Sequence, residues 1–209
     1  LMKGTTHPVA ISGTNLHPFF AGLLPEGLRL RALISNLKTS PDDLFSLFAA
    51  AGNRVIGDVY ARSALEKSLA IEGPKLKEID FYEYLGRLLR SNPYEMGEDA
   101  IAGVQEKISA SMINFPLNIA KSKFNFILKL NPKDKPSLIE NELHCMYLAE
   151  ACGIKTAKVK LVHDKNKNPG LLVQRFDRTW DEQESRFLMH HQEDACQFLD
   201  RYPADKYNI

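Results

Sequence analysis

Cysteine is scarce in this chain. Cys145, Cys152 and Cys196 are three in 209 residues, an odd number without a C-x-x-C spacing. A disulfide framework and a structural zinc site are therefore not expected, and the usage fits a reducing cytoplasm. Charge of one sign is also missing. Lys and Arg total 27 against 26 Asp and Glu, a formal net charge of +1, which argues against a dedicated nucleic-acid binder. No apolar run approaches the ~20 residues that span a bilayer, so no membrane role is expected. The opening LMKGTTHPVAISG has no apolar segment of the kind a signal peptide carries. Neither G-x-G-x-x-G nor G-x-x-x-x-G-K-[ST] occurs, and there is no repeat or low-complexity stretch. With 44% hydrophobic residues, the length is enough for one or two domains with a proper core.

The punctuation divides the chain into two halves, 1–98 and 99–209, the first helix-rich. HPFFAGLLPEGLRLRALISNLK (17–38) reads as a helix with Pro25 in its first turn. SPDDLFSLFAAAGN (40–53) reads as another, with Ser40 as N-cap, Pro41 as first helical residue and Gly52 as stop. RVIGDVYAR (54–62) suggests a short strand, 63–80 a polar loop, and FYEYLGRLLRSNP (81–93) a helix ended by Asn92-Pro93. The second half reads as strand, strand, helix, strand, strand. Its parts are EDAIAGVQEKISASMINF (98–115) with a loop at Gly103, KFNFILKL (123–130), SLIENELHCMYLAEACG (137–153), KTAKVKLVH (155–163) and GLLVQRF (170–176). A short helix near EDACQFLD (193–200) follows. Ser137 and Glu140 have capping-box spacing and Gly153 stands at C′ of the central helix. Cys145 and Cys152 lie two turns apart on one face of it and are expected to fill core. The fold class is α+β: a small antiparallel sheet with one packed helix behind a helix-rich subdomain.

KFNFILKL carries long β-type residues on both sides of its alternation, so both its faces should be covered. Lys129 near its end then needs a partner, because an unpaired ammonium out of water costs several kcal/mol. The following helix supplies one. Ile139, Leu143, Met146 and Ala149 form its apolar stripe, and Glu142 falls on or beside that stripe. A strand lysine and an inward helix glutamate are the pair a protein kinase uses to hold the α- and β-phosphates of its nucleotide. An ordinary salt bridge remains the competing reading. Gly103 in AGVQEK would permit close backbone approach to a phosphate, or simply make a hairpin turn. LLVQRFDR (171–178) is an apolar strand running into a polar segment, as a hinge between two lobes would. Its other reading is a strand end with a surface cluster of Arg175, Asp177 and Arg178.

GLLPEGLRLRAL (22–33), GVQEK (103–107), FILKL (126–130), ENELHCMYLAEACGI (140–154), VQRFDRTW (173–180) and QEDACQ (192–197), in this order, resemble the N-terminal part of the HipA-like serine/threonine kinases. These are the toxins of bacterial HipA–HipB toxin–antitoxin modules. The resemblance covers most of the chain and implies a pre-kinase subdomain followed by a kinase-like N-lobe, the C-lobe being absent. It implies ATP as ligand, with Mg²⁺ held mostly by the other lobe. Carried over, Lys129 is the ATP-binding lysine and Glu142 the residue that orients it. Gly103, Val104 and Gln105 form the phosphate loop. The main chain of Gln174 and Phe176 meets adenine, and Asp177 lies beside the ribose. The implied partners are a HipB-like helix-turn-helix antitoxin, which tethers the kinase to DNA, and a protein target such as an aminoacyl-tRNA synthetase, whose phosphorylation arrests growth.

Two departures bear on this expectation. The loop position that carries an autophosphorylated serine in the family, three residues before the glycine, is Ala100, although Ser109 and Ser111 follow downstream. No H-x-x-N or Asp-containing catalytic loop precedes Ile209, and Asp194 and Asp200 read as the first turn and end of a short helix. No catalytic residue is therefore assigned. The 209 residues themselves are expected to bind nucleotide weakly and to transfer no phosphoryl group, since positioning and metal clamping supply most of that catalysis. The alternative reading is a truncated or split, catalytically inactive HipA-like module that works by binding an antitoxin or a partner lobe.

Overall fold

The computed structural model describes residues 15–51, 56–59, 75–90, 113–119, 122–132 and 135–205. Six helices and six strands are assigned in them: α1 (Pro18–Ala21), α2 (Gly27–Leu37), α3 (Leu44–Ala51), α4 (Phe81–Arg90), β1 (Ile113–Asn118), β2 (Asn125–Leu130), α5 (Leu138–Ala151), β3 (Val159–His163), β4 (Pro169–Gln174), β5 (Arg178–Asp181), β6 (Arg186–Met189) and α6 (Ala195–Phe198). Packing gathers them into two units interleaved in sequence. One holds α1, α2, α3 and α6; the other holds α4, α5 and all six strands. The expected single cut between 98 and 99 is not where the packing divides. α4 joins the sheet, and the segment from His191 onward returns to the first helices.

In the sheet unit, β1-β2-β4-β3 form one antiparallel sheet, and β5 and β6 a separate hairpin. Register places Lys129 opposite Asn114 on β1 and Leu171 on β4. Side chains alternate across the pleat, so Leu128 and Lys129 face opposite ways. The Leu128 face meets α4: a Cβ added to Gly170 would lie 2.8 Å from Leu128 Cδ1 and 2.8 Å from the Phe81 ring. Phe81, Leu85 and Leu89, spaced i, i+4, i+8, are all buried. Full burial of a side chain such as Phe81 contributes about 1.5–3 kcal/mol. α5 packs on β3 and β4, with Ile139 fully buried and Glu142, Leu143, Met146 and Ala149 half-buried on the same side. From Asn125 to Leu130 both faces of KFNFILKL are therefore covered, as its alternation predicts, whereas Lys123 and Phe124 before the strand are exposed. The β5–β6 hairpin was not foreseen: RTWD and RFLM are short, and their spacing is hidden by the polar turn EQES.

Loop chemistry fixes α4 at a distance. Asp164, in the β3–β4 turn, accepts the Phe81 N–H at 3.0 Å and so caps α4 across 83 residues of sequence. Lys165 N–H donates to Ile79 O, and Tyr82 Oη donates to Asn131 O at 2.9 Å. α5 is capped differently from expectation. Ser137 makes no side-chain cap; Asn131 Oδ1 accepts the Ile139 N–H at 2.9 Å, and Glu140 is drawn to Asn131 Nδ2 at 3.0 Å. The C-terminus does follow the sequence. Gly153 has φ +79°, and its N–H and that of Ile154 return to Glu150 and Ala149 carbonyls. Cys145 and Cys152 are exposed, against the expectation of core, because the apolar stripe of α5 is turned to the sheet and they lie outside it. Cys196 is buried.

In the helical unit, Leu23, Leu33, Leu47, Ala50 and Ala51 form the core. Pro25 lies before α2, not in its first turn. The cap of α3 is Asp43, which accepts the Ser46 N–H at 3.2 Å and the Thr39 hydroxyl at 2.8 Å, whereas Ser40 only closes the preceding turn. α6 carries a complete capping box between Asp194 and Gln197. Gln197 also donates to Phe19 O at 2.8 Å, tying α6 to α1. A side chain at Gly22 would come 2.5 Å from Gln197 Cγ, so glycine leaves room for that tie. Asp194 and Asp200 sit at the start and just past the end of α6, as expected. The strand expected over 54–62 lies mostly outside the described residues, and 56–58 form bends. Among the described residues no helix is long and apolar enough to cross a membrane.

Candidate nucleotide site

Lys129 and Glu142 meet. Nζ lies 2.6 Å from Glu142 Oε1, with the two side chains 21% and 23% exposed. The pair exists because β2 turns Lys129 towards α5 while the stripe of α5 turns Glu142 towards the sheet. An ammonium has three donors, and Glu142 is the partner found for it among the described residues. The bond therefore fixes the cation without exhausting it, and its partial exposure leaves a path for an anion. Ile127 precedes Lys129 by two residues, and Val173 stands directly opposite Ile127. By pleat parity both lie on the Lys129 face and supply half-buried apolar surface beside the cation. Sequence reasoning did not single them out; the alternation of KFNFILKL together with strand pairing would have.

The residues expected to form a hinge lie at the other end of β4. The Gln174 N–H donates to Lys158 O at 2.8 Å and the Arg175 N–H to Asn125 O at 2.9 Å, so the chain remains tied into the sheet up to residue 175. The Phe176 side chain is 75% exposed. Asp177 is buried, with its carboxylate against Arg175 and Arg178. The surface cluster considered from sequence is thus an interior one. Gly103, Val104 and Gln105, as well as Ala100, Ser109 and Ser111, lie outside the described residues. Among the described residues no group of three His, Cys, Asp or Glu is arranged to hold a metal ion.

A strand lysine is thus paired to a glutamate on the next helix, and comparison with known proteins gives the family. Residues 2–62 match the HipA N-terminal domain and residues 100–209 the HipA-like C-terminal domain. The chain is 31% identical over 205 residues to the protein Y4mE of Sinorhizobium fredii, covering 91% of this chain and 47% of that one. It is 28% identical over 210 residues to the serine/threonine-protein kinase toxin HipA of Shewanella oneidensis, covering 97% and 48%. The solved complex of the Shewanella oneidensis MR-1 toxin–antitoxin system, with HipA, HipB and its operator DNA, contains a chain of similar fold. Its TM-score is 0.60 at 26% identity, over 91% of this chain and 45% of that one. The chain belongs to the HipA-like family. It spans about half the length of the curated relatives it matches.

Proposed function

We propose that this chain supplies the nucleotide-binding part of a HipA-type serine/threonine kinase that phosphorylates a protein. One observation carries the reading: the 2.6 Å bond from Lys129 on a strand to Glu142 on the next helix, in a chain of this family. Lys129 would hold the α- and β-phosphates of ATP while Glu142 keeps the ammonium in place. Ile127 and Val173 would offer apolar surface to the base, and the Gln174–Phe176 main chain polar groups to its edge. Gly103, Val104 and Gln105 would cover the phosphates. Mg²⁺ would be held mostly by residues other than those described. The target class is a protein hydroxyl, with an aminoacyl-tRNA synthetase as the kind of substrate and growth arrest as the outcome. The solved HipA complex supports a HipB-type antitoxin as partner, with DNA met through it. The setting is the bacterial cytoplasm.

The test is calorimetric titration of ATP into the intact chain and into Lys129→Ala and Glu142→Ala, with thermal unfolding as a control for folding. Charge-assisted contacts of this kind predict about a tenfold or greater loss of affinity in each variant. Unchanged affinity in both returns the pair to a purely structural role.

A further inference from the structure

Three residues, Arg175, Phe176 and Asp177, join the end of β4 to the start of β5. Their environments differ sharply. The side chains of Arg175, Asp177 and the following Arg178 are 11%, 6% and 7% exposed, whereas Phe176 between them is 75% exposed. Arg175 grips the carboxylate with both arms of its fork, Nε to Oδ1 at 2.8 Å and Nη2 to Oδ2 at 2.5 Å. Arg178 Nη1 bonds Oδ2 at 2.8 Å and the Asp177 carbonyl at 2.8 Å. The same carbonyl accepts the His190 N–H at 3.0 Å, which joins the turn to the end of the β5–β6 hairpin. Burying one carboxylate with two guanidiniums costs desolvation that an apolar turn would avoid. What the charged version provides is a bidentate, planar lock with one geometry.

We propose that Asp177 is a positioning residue of the hinge and not a ligand of the nucleotide's ribose. Both its oxygens are held by guanidinium groups, and the lock sets the direction in which the 175–177 main chain and the Phe176 ring are presented. The inference rests on the nucleotide-binding reading above and deepens it. Its consequence is specific: breaking the lock from the arginine side should reproduce what breaking it from the aspartate side does, although Arg175→Lys leaves the Asp177 carboxylate in place. A ribose ligand would behave otherwise.

The experiment compares the affinity of the intact chain for ATP and for 2′,3′-dideoxy-ATP in the wild type, Asp177→Asn and Arg175→Lys, with thermal unfolding to confirm folding. The wild type is expected to bind the two nucleotides within about twofold of each other. Both variants should lose about tenfold for each nucleotide, a factor set by one charge-assisted bond. Arg175→Lys keeps the charge and serves as the milder variant should Asp177→Asn fail to fold. A wild-type preference of tenfold or more for ATP that Asp177→Asn abolishes and Arg175→Lys preserves overturns the proposal, as do two variants that bind like the wild type. A wild-type chain that binds neither nucleotide overturns the nucleotide-binding reading and this inference together, a result distinct from the other two.

Discussion

Asp164 and the Lys129–Glu142 pair lie in the same sheet unit and are built on opposite plans. The Asp164 residue is 6% exposed, and its carboxylate accepts four hydrogen bonds. The Asn166 and Asn168 N–H groups reach Oδ1 at 2.8 Å each, and Phe81 N–H and Asn168 Nδ2 reach Oδ2 at 3.0 and 2.9 Å. Nothing is left for a ligand. The Lys129–Glu142 bond is single, and both side chains are about one-fifth exposed. A saturated buried carboxylate holds elements together; a half-used, partly open ion pair is poised for a third party. The contrast separates the scaffold from the proposed site by how far each polar group is satisfied.

The largest effect belongs to Asp164. Its removal strands the Phe81 N–H at the start of α4 and undoes the turn, so Asp164→Ala should destabilise by about 2–4 kcal/mol, read from urea unfolding. Burial pushes this carboxyl up, but the Asn168 side chain and the N–H groups of Phe81, Asn168 and Asn166 more than offset it. The net direction is below its ordinary value of 3.8. A depressed folded pKa stabilises above the unfolded value and is lost as pH falls through the lower folded one. The wild type should therefore lose part of its margin over Asp164→Ala below about pH 3.8. A variant as stable as the wild type at neutral pH would remove one side of the comparison.

Lys129 tests the other side. Lys129→Met keeps the stem's apolar packing and removes the charge. With both partners partly in water, the cost to stability should stay within about 1 kcal/mol, while nucleotide affinity falls as predicted above. A stability loss equal to that of Asp164→Ala would show that the pair is scaffold after all, and the distinction drawn between the two clusters would collapse.

The parts visible in the sequence were those governed by local pattern. The two-sided strand around Lys129, the stripe that turns Glu142 inward, the Gly153 stop and the short helix beginning near Asp194 each follow from spacing within one element. The missed parts depend on partners far away in sequence. Asn131 displaced the Ser137–Glu140 capping box because it reaches the same helix start from the end of β2. Asp164 caps α4 from the β3–β4 turn, which is why α4 belongs with the sheet and not with the helices that precede it. Cys145 and Cys152 were placed inside by residue type alone, and the orientation of α5 put them outside. For the RFDR turn the sequence offered a surface cluster, and only the fold shows its charges buried.

The smallest predicted effect lies in the helical unit, at a third kind of polar cluster. His191 Nδ1 lies 2.8 Å from Asp58 Oδ1, and Nε2 lies 2.6 Å from Glu193 Oε1. Phe19 stacks on the ring at 6.4 Å between centroids. Hydrogen bonds to Glu193 and then to Asp58 raise the imidazole pKa above its ordinary 6.5. A raised folded pKa gives stability that is fully present below the unfolded value and is lost as pH rises through the folded one. The window therefore opens upward from about pH 6.5. The ring is 45% exposed and Asp58 39%, so water screens the interaction and its worth is a few tenths of a kcal/mol. His191→Gln keeps a donor at its amide nitrogen for one carboxylate but carries no charge. Its stability difference from the wild type, measured by unfolding at pH 6 and again at pH 8, should therefore shrink at the higher pH. A difference that grows instead would mean that neutral His191 is the stabilising form, and the cluster would then be a saturated structural site like Asp164.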